Sequence, residues 1–240
     1  MMRNISMVIE YDGTHFFGWQ YQPNKRTVQG ELQSALRKIL SEETKLTGAG
    51  RTDQGVHALG QVANFHTESE LPLLSIRKGI NALVGDDIYI KDIAVVSDDF
   101  DSRYSAKTKV YQYYLTLEPS PFLLRYNWYL KQTPVIEAMR RAMPEFLGQR
   151  DFKNFSVRNG SDNTECNIVD MTVTHEGAQI VVKIEGNRFL RKMVRGIVGF
   201  LVDIGRGRFT VSDIQRYFNA RKSDINFAPP HGLFLMSVTY

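Results

Sequence analysis

One short segment, Gly48-Ala49-Gly50-Arg51-Thr52-Asp53-Gln54-Gly55-Val56-His57-Ala58, carries more reactive side chains than a turn between two strands requires. Its glycines admit close approach by a ligand, and a loop held on a rigid sheet is a usual carrier of reactive groups. A plainer reading makes Asp53 the cap of a turn and His57 a satisfied structural histidine. Other chemical templates fail. Asp53 stands where the dinucleotide fingerprint needs its third glycine, and no Gly-Lys-Ser/Thr phosphate loop, His-Glu-x-x-His or Gly-x-Ser-x-Gly occurs. No cluster of carboxylates suggests a metal. Cys166 is the only cysteine, which excludes intrachain disulfides and zinc sites built on paired thiolates. What remains is a lone carboxylate with arginines nearby. Such a group can attack a sugar carbon as a covalent nucleophile without a metal, as retaining glycosidases do.

The elements flanking this loop follow from apolar periodicity. Alternation and β-branched residues predict a strand over residues 5–11. Val28, Leu32, Ala35, Leu36, Ile39 and Leu40 recur at helical spacing behind Thr27, a suitable N-cap. Strands are expected over residues 45–49 and 61–67, a helix over 73–83 and a strand over 88–96. The order β-α-β-β-α-β is the ferredoxin-like, split βαβ pattern. After the acidic run 98–101 it begins again. The spacing predicts a strand over 110–117, a short one near Trp128, and a helix over 135–147 that Pro144 kinks or ends. A hairpin of 168–175 and 179–184 turns at Glu176-Gly177. Helices over 189–204 and 211–220 and a strand over 233–239 complete the chain. The fold class expected is α+β: two ferredoxin-like halves, residues 1–106 and 107–240, sharing a mostly antiparallel sheet with a central cleft.

At 240 residues and 42% hydrophobic content the chain is long enough to bury real cores. It has no apolar run long enough to cross a membrane and no signal-like N-terminus, so a cytoplasmic address is expected. The net charge of +4 is modest but unevenly spread. Between Lys183 and Lys222 ten basic residues stand against three acidic ones, a local excess of +7. Such a segment is expected to face a polyanion, most commonly nucleic acid; a solvated helix surface is the alternative.

Gly50-Arg51-Thr52-Asp53-Gln54-Gly55-Val56-His57-Ala58 resembles the signature loop of the TruA family of tRNA pseudouridine synthases. Tyr11-Asp12-Gly13-Thr14, Gly18-Trp19-Gln20 and Thr27-Val28-Gln29-Gly30 are similar to the family's opening segments, and Arg103-Tyr104-Ser105-Ala106 with Lys109-Val110-Tyr111-Gln112-Tyr113 to its middle motif. Asn187-Arg188-Phe189-Leu190, Met193-Val194-Arg195 and Gly232-Leu233-Phe234-Leu235 resemble its last two. The matches run in order over nearly the whole chain. Asn167 departs from a frequently basic position, and residues 158–165 have little family character. The resemblance implies an isomerase that converts uridine to pseudouridine in the anticodon stem-loop of tRNA, with Asp53 as nucleophile and without ATP, metal or nicotinamide. It implies that Arg195 pairs with that aspartate, that Tyr111 lies against the target base, that Arg51 occupies space near the displaced nucleotide, and that Leu235 walls the base pocket. It also implies a homodimer with tRNA crossing both subunits. A non-catalytic RNA-binding protein of the same fold is the alternative.

Overall fold

The structure, a computed structural model, describes residues 2–157, 163–219 and 224–240. It divides into two compact units, Met1–Lys107 with Leu235–Tyr240, and Thr108–Phe234. Both are α+β with mostly antiparallel strands, as the sequence predicts. Among the described residues no helix is long and apolar enough to cross a membrane.

In the first unit the order is β1 (Arg3–Tyr11), α1 (Val28–Leu40), β2 (Thr47–Gly48), β3 (His57–Thr67), α2 (Leu73–Leu83) and β4 (Ile88–Val96). The strands run β4-β1-β3, with β2 paired to β3 and the last strand, β10 (Leu233–Thr239), beside β3. Leu235–Tyr240, which the sequence reading leaves with the second half, thus cluster with the first unit. The inward face of β1 carries Ile5, Met7, Ile9 and Tyr11 at every second position, all nearly inaccessible. The buried stripes of α1 (Val28, Leu32, Ala35, Leu36) and α2 (Ile76, Ile80) complete the core, each large aliphatic contributing roughly 1.5–3 kcal/mol by leaving water. Thr27 caps α1 as expected, its side chain accepting the Gly30 N–H at 3.2 Å. A buried polar cluster anchors the exit from this unit. Asn64 accepts the backbone N–H and hydroxyl of Ser102 and donates to Asn4, whose own amide holds the carbonyls of Ser97 and Phe100. Each polar group named is therefore paired where water is excluded.

The second unit contains β5 (Thr108–Thr116), β6 (Trp128–Tyr129), α3 (Ile136–Ala142), β7 (Gly148–Asp151), β8 (Glu165–Glu176), β9 (Gln179–Gly186), α4 (Met193–Gly205) and α5 (Val211–Asn219). Its strands run β5-β9-β8-β7, and β6 adds two residues parallel to β5. The β8–β9 hairpin turns where predicted. Pro144 ends α3 at Ala142, and the chain continues as a 3₁₀ turn over Met143–Phe146. Rings of Phe146, Phe152, Phe155, Phe200, Tyr217 and Phe218 pack edge to face or tilted, with centroids 4.8–6.2 Å apart. Several boundaries differ from the sequence expectation, among them β3, which begins at His57 and not at residue 61, and one strand, β7, was not expected. α4 begins at Met193 and not at Phe189, because Lys192 has φ +61°, a left-handed conformation that a helix cannot include. β7, of sequence Gly-Gln-Arg-Asp, has no strand-like composition and exists through its ladder to β8.

The basic segment is less uniform than its composition suggests. Lys183 pairs with Asp170 at 3.2 Å, Arg216 lies 3.8 Å from Asp213, and Arg208 Nη1 donates to the nearly buried Asp203 at 2.8 Å. Arg221 and Lys222 lie outside the described residues, as does most of the weakly matching stretch, residues 158–162. Arg208 is thus part of the packing of α4. Arg208→Ala is expected to destabilise the protein by about 1–2 kcal/mol, since among the described residues only Asn226 would remain to hydrogen-bond the Asp203 carboxylate. An unchanged thermal unfolding midpoint would show that the pair contributes nothing.

Candidate active site

The loop carrying Arg51 and Asp53 joins β2 to β3 and is tied down at successive residues. The Ala49 N–H donates to the Val62 carbonyl at 2.8 Å. The Gly50 carbonyl accepts from the Gln61 side-chain amide at 2.8 Å, the Thr52 carbonyl from the Trp19 N–H at 3.1 Å, and the Asp53 carbonyl from the Val56 N–H at 3.2 Å. Thr52 also turns its hydroxyl inward, 2.8 Å from that of Tyr11. Burial pushes the Tyr11 hydroxyl well above the ordinary tyrosine range, against the opposing effect of the neighbouring Thr52 and Gln61 side chains. Tyr11 is therefore a neutral phenol at any physiological pH. Asp53 stays half-buried and Arg51 exposed, so these two side chains are presented by a backbone that is itself held.

The segment before α1 packs directly on this loop, and two of its glycines are required by the approach. A Cβ on Gly13 would lie 2.0 Å from the Val56 carbonyl oxygen. Gly18 has φ +92°, and a Cβ there would lie 2.6 Å from the Thr52 carbonyl oxygen. Asp12 caps the short 3₁₀ turn Gly13–His15, its carboxylate accepting the Thr14 N–H at 3.0 Å and hydroxyl at 2.5 Å. Nδ1 of His57 accepts the Gly13 N–H at 3.0 Å, with Asp12 Oδ1 3.1 Å from the same nitrogen. At 1% exposure His57 joins the two loops through Nδ1.

The second unit holds the other two polar candidates. Tyr111 lies on β5 opposite Ile184, is 6% exposed, and meets Phe189 edge-on with centroids 5.0 Å apart. Its neighbours are otherwise committed. Tyr113, on the same face, donates its hydroxyl to the Pro229 carbonyl at 2.8 Å; Tyr114, on the opposite face, donates to Gln112 at 2.6 Å and packs on Phe234. Arg195 sits in the first turn of α4, where its Nε donates to the Ala228 carbonyl at 2.7 Å and its own carbonyl accepts the Ala228 N–H. The guanidinium charge reaches Tyr113, where burial raises the hydroxyl's pKa and Arg195 opposes it. It also reaches His231, whose pKa is lowered first by burial and then, with Arg195 contributing, despite a hydrogen bond to the Asn127 carbonyl. His231 is accordingly a neutral imidazole near neutral pH.

Arg51 and Asp53 therefore share one loop of the first unit. Leu235 belongs to that unit too and is completely buried, which suits a core position as well as a pocket wall. Tyr111 and Arg195 both lie in the second unit. The supports of the Asp53 loop, Tyr11, Thr52, Gln61 and Trp19, receive no role from sequence. Tyr11, Trp19 and Thr52 stand within the motifs, and Gln61 is a polar residue in a largely apolar strand, but neither signal names a role.

The chain has clear relatives. A family model of tRNA pseudouridine synthase matches residues 7–105 and 142–240. The tRNA pseudouridine synthase A of Caldicellulosiruptor saccharolyticus is 42% identical over 245 residues, covering 100% of both chains. That of Citrifermentans bemidjiense is also 42% identical over 245 residues, covering 100% of this chain and 98% of its own, and that of Thermosipho melanesiensis is 40% identical over 244 residues with both chains covered fully. With the motif loop, its supports and this similarity along the full length, the chain belongs to the TruA family of tRNA pseudouridine synthases and is an isomerase.

Proposed function

We propose that this enzyme converts uridine to pseudouridine at neighbouring positions on the 3′ side of the tRNA anticodon stem-loop, with Asp53 as nucleophile and no cofactor. The observation that carries the reading is the half-buried Asp53 carboxylate on a backbone fixed from Ala49 to Val56. A nucleophile held in place avoids the entropic cost of finding the sugar carbon. The reaction balances internally: the N1–C1′ bond breaks, the base turns, C5 bonds to C1′ and loses its proton, and N1 gains one. Arg195 pairs with Asp53 and keeps the carboxylate charged, Tyr111 lies against the base, Arg51 fills space left by the displaced nucleotide, and Leu235 closes the apolar wall. These four roles follow the family resemblance. The protein works as a homodimer in the cytoplasm, and tRNA crosses both subunits.

Phosphate contacts come from the connection between β9 and α4, where Arg188, Arg191 and Lys192 lie outside any helix and Arg191 is exposed. Arg208 and Lys183, held by carboxylates of their own unit, contribute less. The test is a pseudouridine assay on unmodified tRNA with purified protein and no added cofactor. Pseudouridine confined to the anticodon stem-loop, without release of free uracil, is expected. A tRNA that is bound but unchanged would mean a non-catalytic RNA-binding protein, and free uracil a glycosidase. In the same material the logarithm of tRNA affinity should fall linearly with the logarithm of salt concentration; affinity indifferent to salt would overturn the assignment of these cations.

A further inference from the structure

We propose that Tyr11, Thr52 and Gln61 are positioning residues for Asp53, holding the loop by two buried hydrogen bonds that set where it presents its carboxylate. The proposal rests on Asp53 being the nucleophile. The three side chains come from β1, the loop and β3, and are 3%, 8% and 0% exposed. Tyr11 holds the Thr52 hydroxyl at 2.8 Å, one residue before Asp53, and Gln61 holds the Gly50 carbonyl at 2.8 Å, three residues before it. Arg51 and Asp53 thus flank a residue clamped through its side chain by Tyr11 and through its carbonyl by the Trp19 N–H.

Two features indicate that this arrangement is built for the loop and not for the core. The β1–β3 ladder is regular from Arg3↔Thr67 to Ile9↔Gln61, then slips so that Tyr11 faces Ala58. A bulge of this kind re-aims the side chain beyond it, and bulges concentrate beside active sites. The second feature is the cost of Gln61. Its Oε1 is buried without a hydrogen-bond partner among the described residues, in a strand whose neighbours Val62, Ala63 and Phe65 pack as apolar residues. An unsatisfied buried carbonyl is destabilising, and a valine would suit the strand better. The amide's other end, bonded to Gly50, is what that destabilisation secures.

The test separates placement of Asp53 from folding and from RNA binding. Tyr11→Phe and Thr52→Val each remove one hydroxyl with little change of shape, and Thr52→Ser keeps it. Single-turnover pseudouridine formation in Tyr11→Phe and in Thr52→Val is expected to slow about 10- to 100-fold, the scale of a sub-ångström to ångström misplacement of a reacting group. Their tRNA dissociation constants should stay within about threefold of wild type, and Thr52→Ser should recover the rate to within about threefold. The double variant should be no slower than the slower single one, because the two hydroxyls act through one contact. Wild-type rates in both single variants would overturn the proposal, as would Thr52→Ser as slow as Thr52→Val. Should Tyr11→Phe fail to fold, the Thr52 pair decides alone by the same criterion. Asp53→Asn in parallel keeps the two ideas apart: turnover in that variant sinks the nucleophile assignment, whereas an inactive Asp53→Asn beside fully active Tyr11→Phe and Thr52→Val sinks only the positioning role.

Discussion

Asp53→Asn is expected to lose pseudouridine formation by on the order of 10⁴-fold or more, the scale on which removal of a nucleophile acts in other enzymes. The substitution removes the charge and hardly alters size. Loop geometry, unfolding midpoint and tRNA affinity should therefore change little. An amide nitrogen is not a nucleophile toward a sugar carbon, and the residual rate should not recover at higher pH. A variant that still modifies tRNA at near wild-type rate would show that another group begins the reaction, with Asp53 reduced to a turn cap.

Tyr111→Phe is expected to lower the single-turnover rate about 10²-fold with tRNA affinity unchanged, as befits loss of a general acid–base group. The final step must remove a proton from C5, and the histidines of known setting offer no better candidate. His57 is sealed between loops, and His231 is neutral and engaged with the Asn127 carbonyl. Phenylalanine preserves the edge-on packing against Phe189, so the variant isolates the hydroxyl. Tyr111→Leu removes the aromatic face as well and should weaken placement of the flipped base by about 1–3 kcal/mol more. Tyr113→Phe is the control on the same strand face, since its hydroxyl serves the Pro229 carbonyl; it should alter stability and not rate. A Tyr111→Phe rate within about threefold of wild type is too small a loss for general acid–base catalysis and would leave Tyr111 as a stacking platform only.

Elements that depend on local physics were legible in the sequence. β1 declares itself by alternation, α1 by its apolar stripe behind the Thr27 cap, and the β8–β9 turn by Glu176-Gly177, with Gly177 at φ +57°. The end of α3 follows from Pro144, which cannot donate a helical hydrogen bond. β7 was invisible because nothing in Gly-Gln-Arg-Asp favours a strand; its order comes from the ladder that β8 offers. The late start of α4 was hidden for a related reason. Residues 189–192 have helical composition, and only the path of the chain through Lys192 at φ +61° keeps them out of the helix.

The candidate site divides in the same way. Asp53 stood out by residue type in a loop too reactive for a plain turn, whereas Arg51, Tyr111, Arg195 and Leu235 were nominated only by resemblance to the family's motifs. Composition likewise marked the basic segment. Only the tertiary structure showed that Arg208 is bound to a nearly buried aspartate, since what a charged side chain can do is set by what packs beside it. The clamp on the Asp53 loop belongs wholly to the fold. Tyr11 lies 41 residues from Thr52, and the β1–β3 register and its bulge place it against the loop that Gln61 also holds, a long-range pairing that no local pattern of residues encodes.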